Sequence, residues 1–424
     1  MVENNISVKK TAGGIPVIAE FIPGSESAGY MVAVGTGSRD ETPEIFGLSH
    51  LLEHVVFRET DTRTSYQMAK EMEGAGGELN AFTARELTAF YGITIRETRD
   101  VAKEMVSDIV AHPKINDEDV RLEKKIVLQE LSMIENEPES YIHDLFSQDI
   151  WRGHKLCQDE GGSPDIVKGL EAKDLRAYYE ARYGIPNLVV FAAGNVDIDD
   201  TVAWASEKFD GMTGKMNIVR EPPKKPVGGY NFVKNKSEHC HVGLGVPAYG
   251  PNDKNRVTAL LLSSVLGSGT SSRLFQSVRE KKALVYSIYS TIEQYSDAAA
   301  LVSYMSSTDE NVIEAIETTV SELSNFKKEG LQKGELARTK RLLKGAYVRS
   351  MESTEHRMYR LGRDYMLNGK CQTLEQRLAA IDAVTEEEVM HVADDLLHSE
   401  NLNITVLGKG NSAIKKFDIS GLDL

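Results

Sequence analysis

The pentapeptide His50-Leu51-Leu52-Glu53-His54 holds the residue types that grip a divalent ion and move a proton. On an α-helix each residue turns by about 100°, so His50 and His54 lie about 40° apart and both imidazoles reach one ion. Glu53 and Phe57 share their stripe, because positions 50, 53, 54 and 57 follow the i, i+3, i+4, i+7 rule. The opposing stripe, Leu48, Leu51, Leu52 and Val55, is apolar and suited to burial against a sheet. Two imidazoles and a carboxylate on one stripe are the residue types that metal-assisted hydrolysis uses. The competing reading is a solvated helix face whose histidines are idle. With ten histidines in 424 residues, an H-x-x-E-H string arises by chance about 0.02 times in such a chain.

Two histidines do not complete a catalytic zinc site, which has three protein ligands plus water. The helical pattern over 118–134 offers carboxylates: Glu123, Ile126, Val127 and Glu130 share a stripe, with the two glutamates two turns apart. Spacing alone leaves either of them an ordinary exposed helix glutamate. Other polar clusters carry less. His239-Cys240-His241 would set two imidazoles on one side of a strand but has no evident third ligand, and reads as strand surface. His154 and Cys157 read as a loop in which the imidazole bonds to backbone. The glycine-rich 267–272 lacks the lysine of a phosphate loop and reads as a turn.

The elements that must position these residues occur in one order twice. In the first half, β-rich runs at 15–22 and 30–34 precede helices at 48–57 and 65–72. Strands at 79–83 and 88–95, long helices at 100–111 and 118–134, further helices to 182 and a late strand at 188–193 follow. The second half repeats this with a strand at 242–246, helices at 257–266 and 273–279, and strands at 285–290 and 300–306. Long helices at 311–326 and 334–351, more helix to 397 and a strand at 403–407 complete it. A period of about 210 residues with one element order implies duplication of an α+β unit, a mainly antiparallel sheet covered on one face by long helices. Residues 213–229, with Pro222, Pro223 and Pro226 before Gly228-Gly229, read as the linker between domains at 1–212 and 230–424. Aligning 48–60 with 258–270 sets His50, Glu53 and His54 against Leu260, Ser263 and Ser264, so the metal motif belongs to one half only.

Composition narrows the class. A net charge of −15 without a basic patch argues against nucleic acid and anionic membrane as partners. A hydrophobic share of 41% with 27% charged residues supplies a globular core, and no apolar run approaches a transmembrane span. The first ten residues show no signal segment, and three scattered cysteines suit a reducing compartment, so a cytoplasmic location is expected.

HLLEHVVF (50–57), with a glutamate 76 positions beyond the second histidine (130 − 54) inside EKKIVLQEL (123–131), resembles the pitrilysin-type zinc metallopeptidases, the inverzincin family of insulin-degrading enzyme and mitochondrial processing peptidase. The resemblance runs over essentially the whole chain and fits the shorter, two-domain prokaryotic-type branch. It implies one Zn2+ per chain held by His50, His54 and Glu130, with Glu53 as general base on a zinc-bound water and Glu123 orienting a ligand. GGELNAFTARELTAFY (76–91) is similar to the family's strand beside the zinc, which implies that Asn80, Ala81 and Phe82 meet the substrate backbone as an added strand. SSRLFQSVREKKALVYSIYS (271–290) resembles the counterpart segment of the other half, which implies that Arg279 and Tyr286, seven residues apart (286 − 279), hold the substrate carbonyl. The expected protein is a zinc endopeptidase that hydrolyses flexible peptides inside the chamber of a homodimer, the zinc half of one chain facing the Arg/Tyr half of the other. The alternative is a non-catalytic or partner-dependent scaffold subunit of the same fold. Glu59, where the family commonly has glycine, and the loosely similar 154–162 depart from the pattern.

Overall fold

The computed structural model describes residues 5–214 and 217–424. Among them the strands are β1 Ile6–Lys10, β2 Pro16–Phe21, β3 Ser27–Val34, β4 Glu78–Thr83, β5 Thr88–Ile95, β6 Leu188–Gly194, β7 Gly229–Lys234, β8 Cys240–Ala248, β9 Val285–Gln294, β10 Ala299–Ser307 and β11 Asn403–Gly408. The helices of the first half are α1 Leu48–Val56, α2 Ser65–Gly74, α3 Arg99–Ala111, α4 Asp117–Glu135, α5 Pro138–Ile150, α6 Pro164–Gly169, α7 Ala172–Arg182 and α8 Ile198–Phe209. Those of the second half are α9 Arg256–Gly267, α10 Val312–Glu329, α11 Glu335–Ser350, α12 Thr354–Asn368, α13 Leu374–Ala383, α14 Glu386–Leu396 and α15 Ser412–Lys415. No helix among the described residues is long and apolar enough to cross a membrane.

The fold is mixed α/β with two sheets. The first has strand order β1-β2-β6-β3-β5-β4 and the second β7-β11-β8-β10-β9. In each sheet one pair is parallel, β2 with β6 and β11 with β7, and every other pair is antiparallel. Matching β2, β6, β3, β5 and β4 to β7, β11, β8, β10 and β9 gives the same topology twice, with β1 as an extra edge strand in the first sheet.

The chain forms two compact units, and these differ from the stretches 1–212 and 230–424 expected from the linker. Unit 1 is Met1–Leu131, Gln158–Arg220 and Arg349–Thr373; unit 2 is Ser132–Cys157, Glu221–Val348 and Leu374–Leu424. Helix α5, from the first half of the sequence, therefore belongs to unit 2, and α12, from the second half, to unit 1. The linker residues described, up to Gly228, carry neither helix nor strand, while Lys215 and Met216 lie outside the described residues.

Burial on both sheet faces explains the exchange. In β3, Tyr30, Val32 and Val34 face the main helical layer of unit 1, whereas Met31 and Ala33 face the other way and pack with Met358 and Leu361 of α12. β6 divides likewise, Val190 and Ala192 on one side and Phe191 and Ala193 on the other. A strand buried on both faces reads as an unbroken apolar run, as Leu188–Gly194 does, and each face needs a cover. Unit 2 solves the same problem with α5: Phe146 packs with Ala300 and Val302, and Ile142 with Tyr304 and Leu407. The helices lie on both faces of each sheet, not on one as expected.

A charged clamp seats α12. Arg357 Nη1 and Arg360 Nη2 donate to the two oxygens of Glu20 on β2, at 2.8 and 2.6 Å, and Glu20 is only 5% exposed. Removing the carboxylate leaves two neighbouring guanidinium groups with only the more distant Asp364, 3.8 Å from Arg360 Nη1, as counter-charge. Glu20→Ala is expected to lower stability by about 3 kcal/mol, read as an earlier midpoint in urea unfolding; an unchanged midpoint would contradict this account of how α12 is held.

Candidate metal centre

Helix α1 is set by its first turn. Gly47 sits in the left-handed region at φ 102°, and a Cβ added to Gly162 would stand 2.2 Å from Gly47 Cα, so the two backbones approach at a distance only glycine permits. The Glu41 carboxylate accepts from the N–H groups of Gly47 at 2.7 Å and Ser49 at 2.6 Å, occupying donors that a helix start leaves without partners. Burial pushes the Glu41 carboxyl up to about 7, against the lowering effect of those two N–H groups. Leu48, Leu51, Leu52 and Val55 are all fully buried, as their stripe requires, and this fixes the rotation of α1 that turns His50, Glu53 and His54 together to the other side.

Helix α4 brings the carboxylates. Val120 and Val127 anchor it in the core, and Lys124 Nζ donates to the carbonyls of Lys168 and Leu170 at 3.0 and 2.8 Å. Glu130 Oε2 then stands 3.3 Å from His54 Nε2 and 3.8 Å from His50 Nε2. One donor atom from each of His50, His54 and Glu130 lies within 4.8 Å of the others, and no second such group of three occurs among the described residues. Glu123, two turns earlier and 4% exposed, reaches the far side of the same ring, its Oε2 3.1 Å from His54 Nδ1. The His54 imidazole thus spans two glutamates, one at each nitrogen. Ile126, on the same α4 stripe, is 45% exposed and takes no part in the core.

The charges follow from the surroundings. Burial, reinforced by the neighbouring His54, pushes His50 down to about 4, so its ring is neutral and has a lone pair to donate. Burial opposes charge on His54 too, but the Glu123 hydrogen bond and the Glu53, Glu130 and Glu123 charges outweigh it and raise its pKa. Glu53 is raised, first by burial and also by Glu130, with the Thr83 hydrogen bond and His54 pulling the other way. Thr83 Oγ1 donates to Glu53 Oε2, which orients the carboxylate from the end of β4.

Two imidazoles and a carboxylate are the donor set of a catalytic zinc site. Two atoms each 2.0–2.2 Å from a tetrahedral ion stand about 3.3–3.6 Å apart, close to the 3.3 and 3.8 Å separations here. His54 Nδ1 has the carboxylate partner that zinc-ligating histidines generally have on their other nitrogen, whereas His50 Nδ1 is buried without a hydrogen-bond partner. The residues present fit zinc.

The remaining expected residues fall in two places. Asn80, Ala81 and Phe82 lie on β4, the edge strand of the first sheet, where Asn80 and Phe82 are exposed and Ala81 half-buried. Arg279 and Tyr286 lie in unit 2 and meet each other there, the guanidinium 5.7 Å from the Tyr286 ring centre and 4.6 Å from that of Phe275. The helix expected at 273–279 is wound as a π-helix over Phe275–Lys281. His241, read as strand surface, is instead buried, its Nδ1 2.9 Å from the Tyr304 hydroxyl. His154 behaves as its loop reading requires: Nε2 lies 2.9 Å from the Glu221 carbonyl, and Nδ1 accepts from Leu156 N.

Sequence reasoning passed over Glu41, Arg58 and Thr83. Arg58 backs the metal cluster, its Nη1 3.6 Å from Glu123 Oε1 and its Nε 3.4 Å from Asp119 Oδ1. Thr83 stands in the quoted strand segment but nothing in its spacing marks it, and the distance in sequence between Glu41 and α1 carries no helical signal.

Two family models match the chain, Insulinase (Peptidase family M16) over residues 17–159 and Peptidase M16 inactive domain over residues 169–343. An uncharacterized zinc protease of Mycobacterium tuberculosis is 35% identical over 408 residues, covering 94% of this chain and 92% of that one. The chain belongs to peptidase family M16. Within M16 its length and organisation are those of the short, two-domain prokaryotic branch: the uncharacterized zinc protease YmxG of Bacillus subtilis is 32% identical over 400 residues, covering 94% of this chain and 97% of its own. The M16 fold extends over nearly all of the chain. A peptidase M16 inactive domain from Pseudomonas fluorescens superposes with a TM-score of 0.89 at 18% identity, covering 96% of this chain and 98% of that one. A protease from Helicobacter pylori gives 0.87 at 20% identity, covering 95% and 99%.

Glu123 gives a direct test of the cluster. Glu123→Leu removes the acceptor from His54 Nδ1 and is expected to weaken zinc binding about 10- to 100-fold, measured by competition with a chromogenic chelator. Wild-type affinity would contradict the role of that hydrogen bond.

Proposed function

We propose that this M16 chain is a zinc-dependent endopeptidase of the inverzincin type, hydrolysing flexible peptides inside a chamber. The observation that carries the reading is the convergence of His50 Nε2, His54 Nε2 and Glu130 Oε2, with the hydrogen-bonded carboxylate of Glu53 on the same helical stripe. The relatives named zinc proteases support it. His50, His54 and Glu130 would hold one ion per chain, which when bound supplies a Lewis acid that polarises a carbonyl and acidifies water.

The protein's own residues do the rest. Glu53, kept from ionising too readily by burial, takes a proton from the attacking water and delivers it to the nitrogen of the leaving amine. Thr83 holds Glu53 in place by donating to one oxygen, leaving the other for that transfer. Glu123 keeps the proton of His54 on Nδ1, so that Nε2 remains a donor of its lone pair. The outer edge of β4 offers ladder N–H and C=O groups to an extended peptide, with Asn80, Ala81 and Phe82 alongside it. Arg279 and Tyr286 supply a guanidinium and a phenol to the substrate carbonyl as negative charge develops on its oxygen.

The chain carries both a metal motif and an Arg/Tyr pair, which supports a homodimer in which each site combines the metal cluster of one copy with the pair of the other. A chamber of this kind selects peptides by flexibility and size. A cytoplasmic location completes the reading.

Two measurements test this reading. Glu53→Gln is expected to lower kcat on a fluorogenic peptide by about 10²- to 10⁴-fold with zinc content unchanged; equal turnover would remove Glu53 as the base. Mixing Glu53→Gln subunits with Arg279→Ala/Tyr286→Phe subunits makes half the dimers mixed, each with one intact site of two, so activity should recover to about a quarter of wild type. No recovery despite demonstrated subunit exchange would reject the composite site.

A further inference from the structure

Three backbone irregularities fall within twelve residues of unit 2 and bracket Arg279 and Tyr286. Phe275–Lys281 winds as a π-helix, which adds a residue to a turn. Ala283 follows at φ 53°, the one non-glycine residue with positive φ among those described. It closes the helix through Ala283 N donating to Arg279 O and Leu284 N to Val278 O, both 3.0 Å. The ladder of β9 and β10 then slips: Ser307 pairs with Val285 and Ser306 with Ser287, so Tyr286 is the extra residue of a bulge.

Each irregularity aims one side chain. Along β9 the buried residues Ile288, Ser290 and Ile292 alternate inward, and in an unbroken strand Tyr286 would fall on that same inward face. The bulge instead turns Val285 inward, 7% exposed, and releases Tyr286 to 78% exposure. The π-turn sets Arg279 between the rings of Phe275 and Tyr286. Ser307 Oγ donates to Leu284 O at 2.5 Å, tying the joint between the two irregularities to β10. A left-handed alanine is disfavoured on its own and persists only where the surroundings impose it, as they do at functional sites.

We infer that Ala283, with the π-turn before it and the bulge after it, is a positioning residue that presets Arg279 and Tyr286 as one two-donor clamp for a peptide carbonyl. This rests on the proposed role of that pair in peptide hydrolysis. Ala283 is itself exposed and touches no reacting group.

The test compares Ala283→Val, whose branched Cβ resists positive φ, with Ala283→Gly, which accepts it, and with Arg279→Ala. In the zinc-loaded full-length protein Ala283→Val should lose about tenfold or more in kcat with KM and zinc content little changed. Ala283→Gly should keep wild-type kcat and melt no lower than wild type. Should the valine variant not fold, Ser307→Ala, which frees Leu284 O without adding bulk, should lower kcat by about threefold. Wild-type kcat in Ala283→Val, or in Ser307→Ala where that variant stands in for it, overturns the positioning role when Arg279→Ala is impaired. Wild-type kcat in Arg279→Ala overturns the reading of the pair itself, and the inference with it.

Discussion

The structure turns on a single imidazole held between two carboxylates. His54 faces Glu123 through Nδ1 and Glu130 through Nε2, and His50 adds a second Nε2 to the same point. Without a cation, Glu130 beside two ring nitrogens is a loose contact of 3.3 and 3.8 Å. Were an ion bound there, the same three atoms would be its ligands, and Glu123 would hold the proton of His54 at Nδ1. Metal affinity, ring tautomer and the field felt by Glu53 therefore depend on one another.

Holding that geometry occupies much of unit 1. The start of α1 is fixed by the contact of Gly47 with Gly162 and by the Glu41 carboxylate, its rotation by four fully buried apolar side chains. Helix α4 is fixed by its own core residues and by Lys124, and Arg58 bridges Asp119 and Glu123 along it. The edge strand β4 contributes Thr83 to Glu53 at one end and an open backbone edge along the rest. Rigid elements, rather than loops, carry every polar group of the cluster except Arg58, which lies in the turn after α1.

Much of this was legible in the sequence because the signals were local. The 3.6-residue period of 48–57 gave both faces of α1, and the metal motif needs only the pitch of one helix to bring its histidines together. Which glutamate of α4 faces Nε2 and which Nδ1 could not be settled by period alone, since Glu123 and Glu130 share a stripe; the family resemblance, not the spacing, separated them. The duplication was readable as order, yet the exchange of α5 and α12 between units was not. It is written only in the double-sided apolar character of β3 and β6, a signal about what a strand needs rather than about which segment supplies it. β1 and β7 were missed because their residues are mostly half-buried or exposed and carry little apolar periodicity. The π-turn and the bulge were invisible for a related reason: each breaks the period on which the reading depends.

The central claim concerns which atoms surround the ion, and zinc K-edge X-ray absorption on the zinc-loaded protein addresses it directly. The account predicts a shell of nitrogen and oxygen at about 2.0–2.2 Å with two imidazoles and no sulfur, and a changed spectrum in Glu130→Gln. A sulfur-containing shell, or a spectrum identical in that variant, would contradict it.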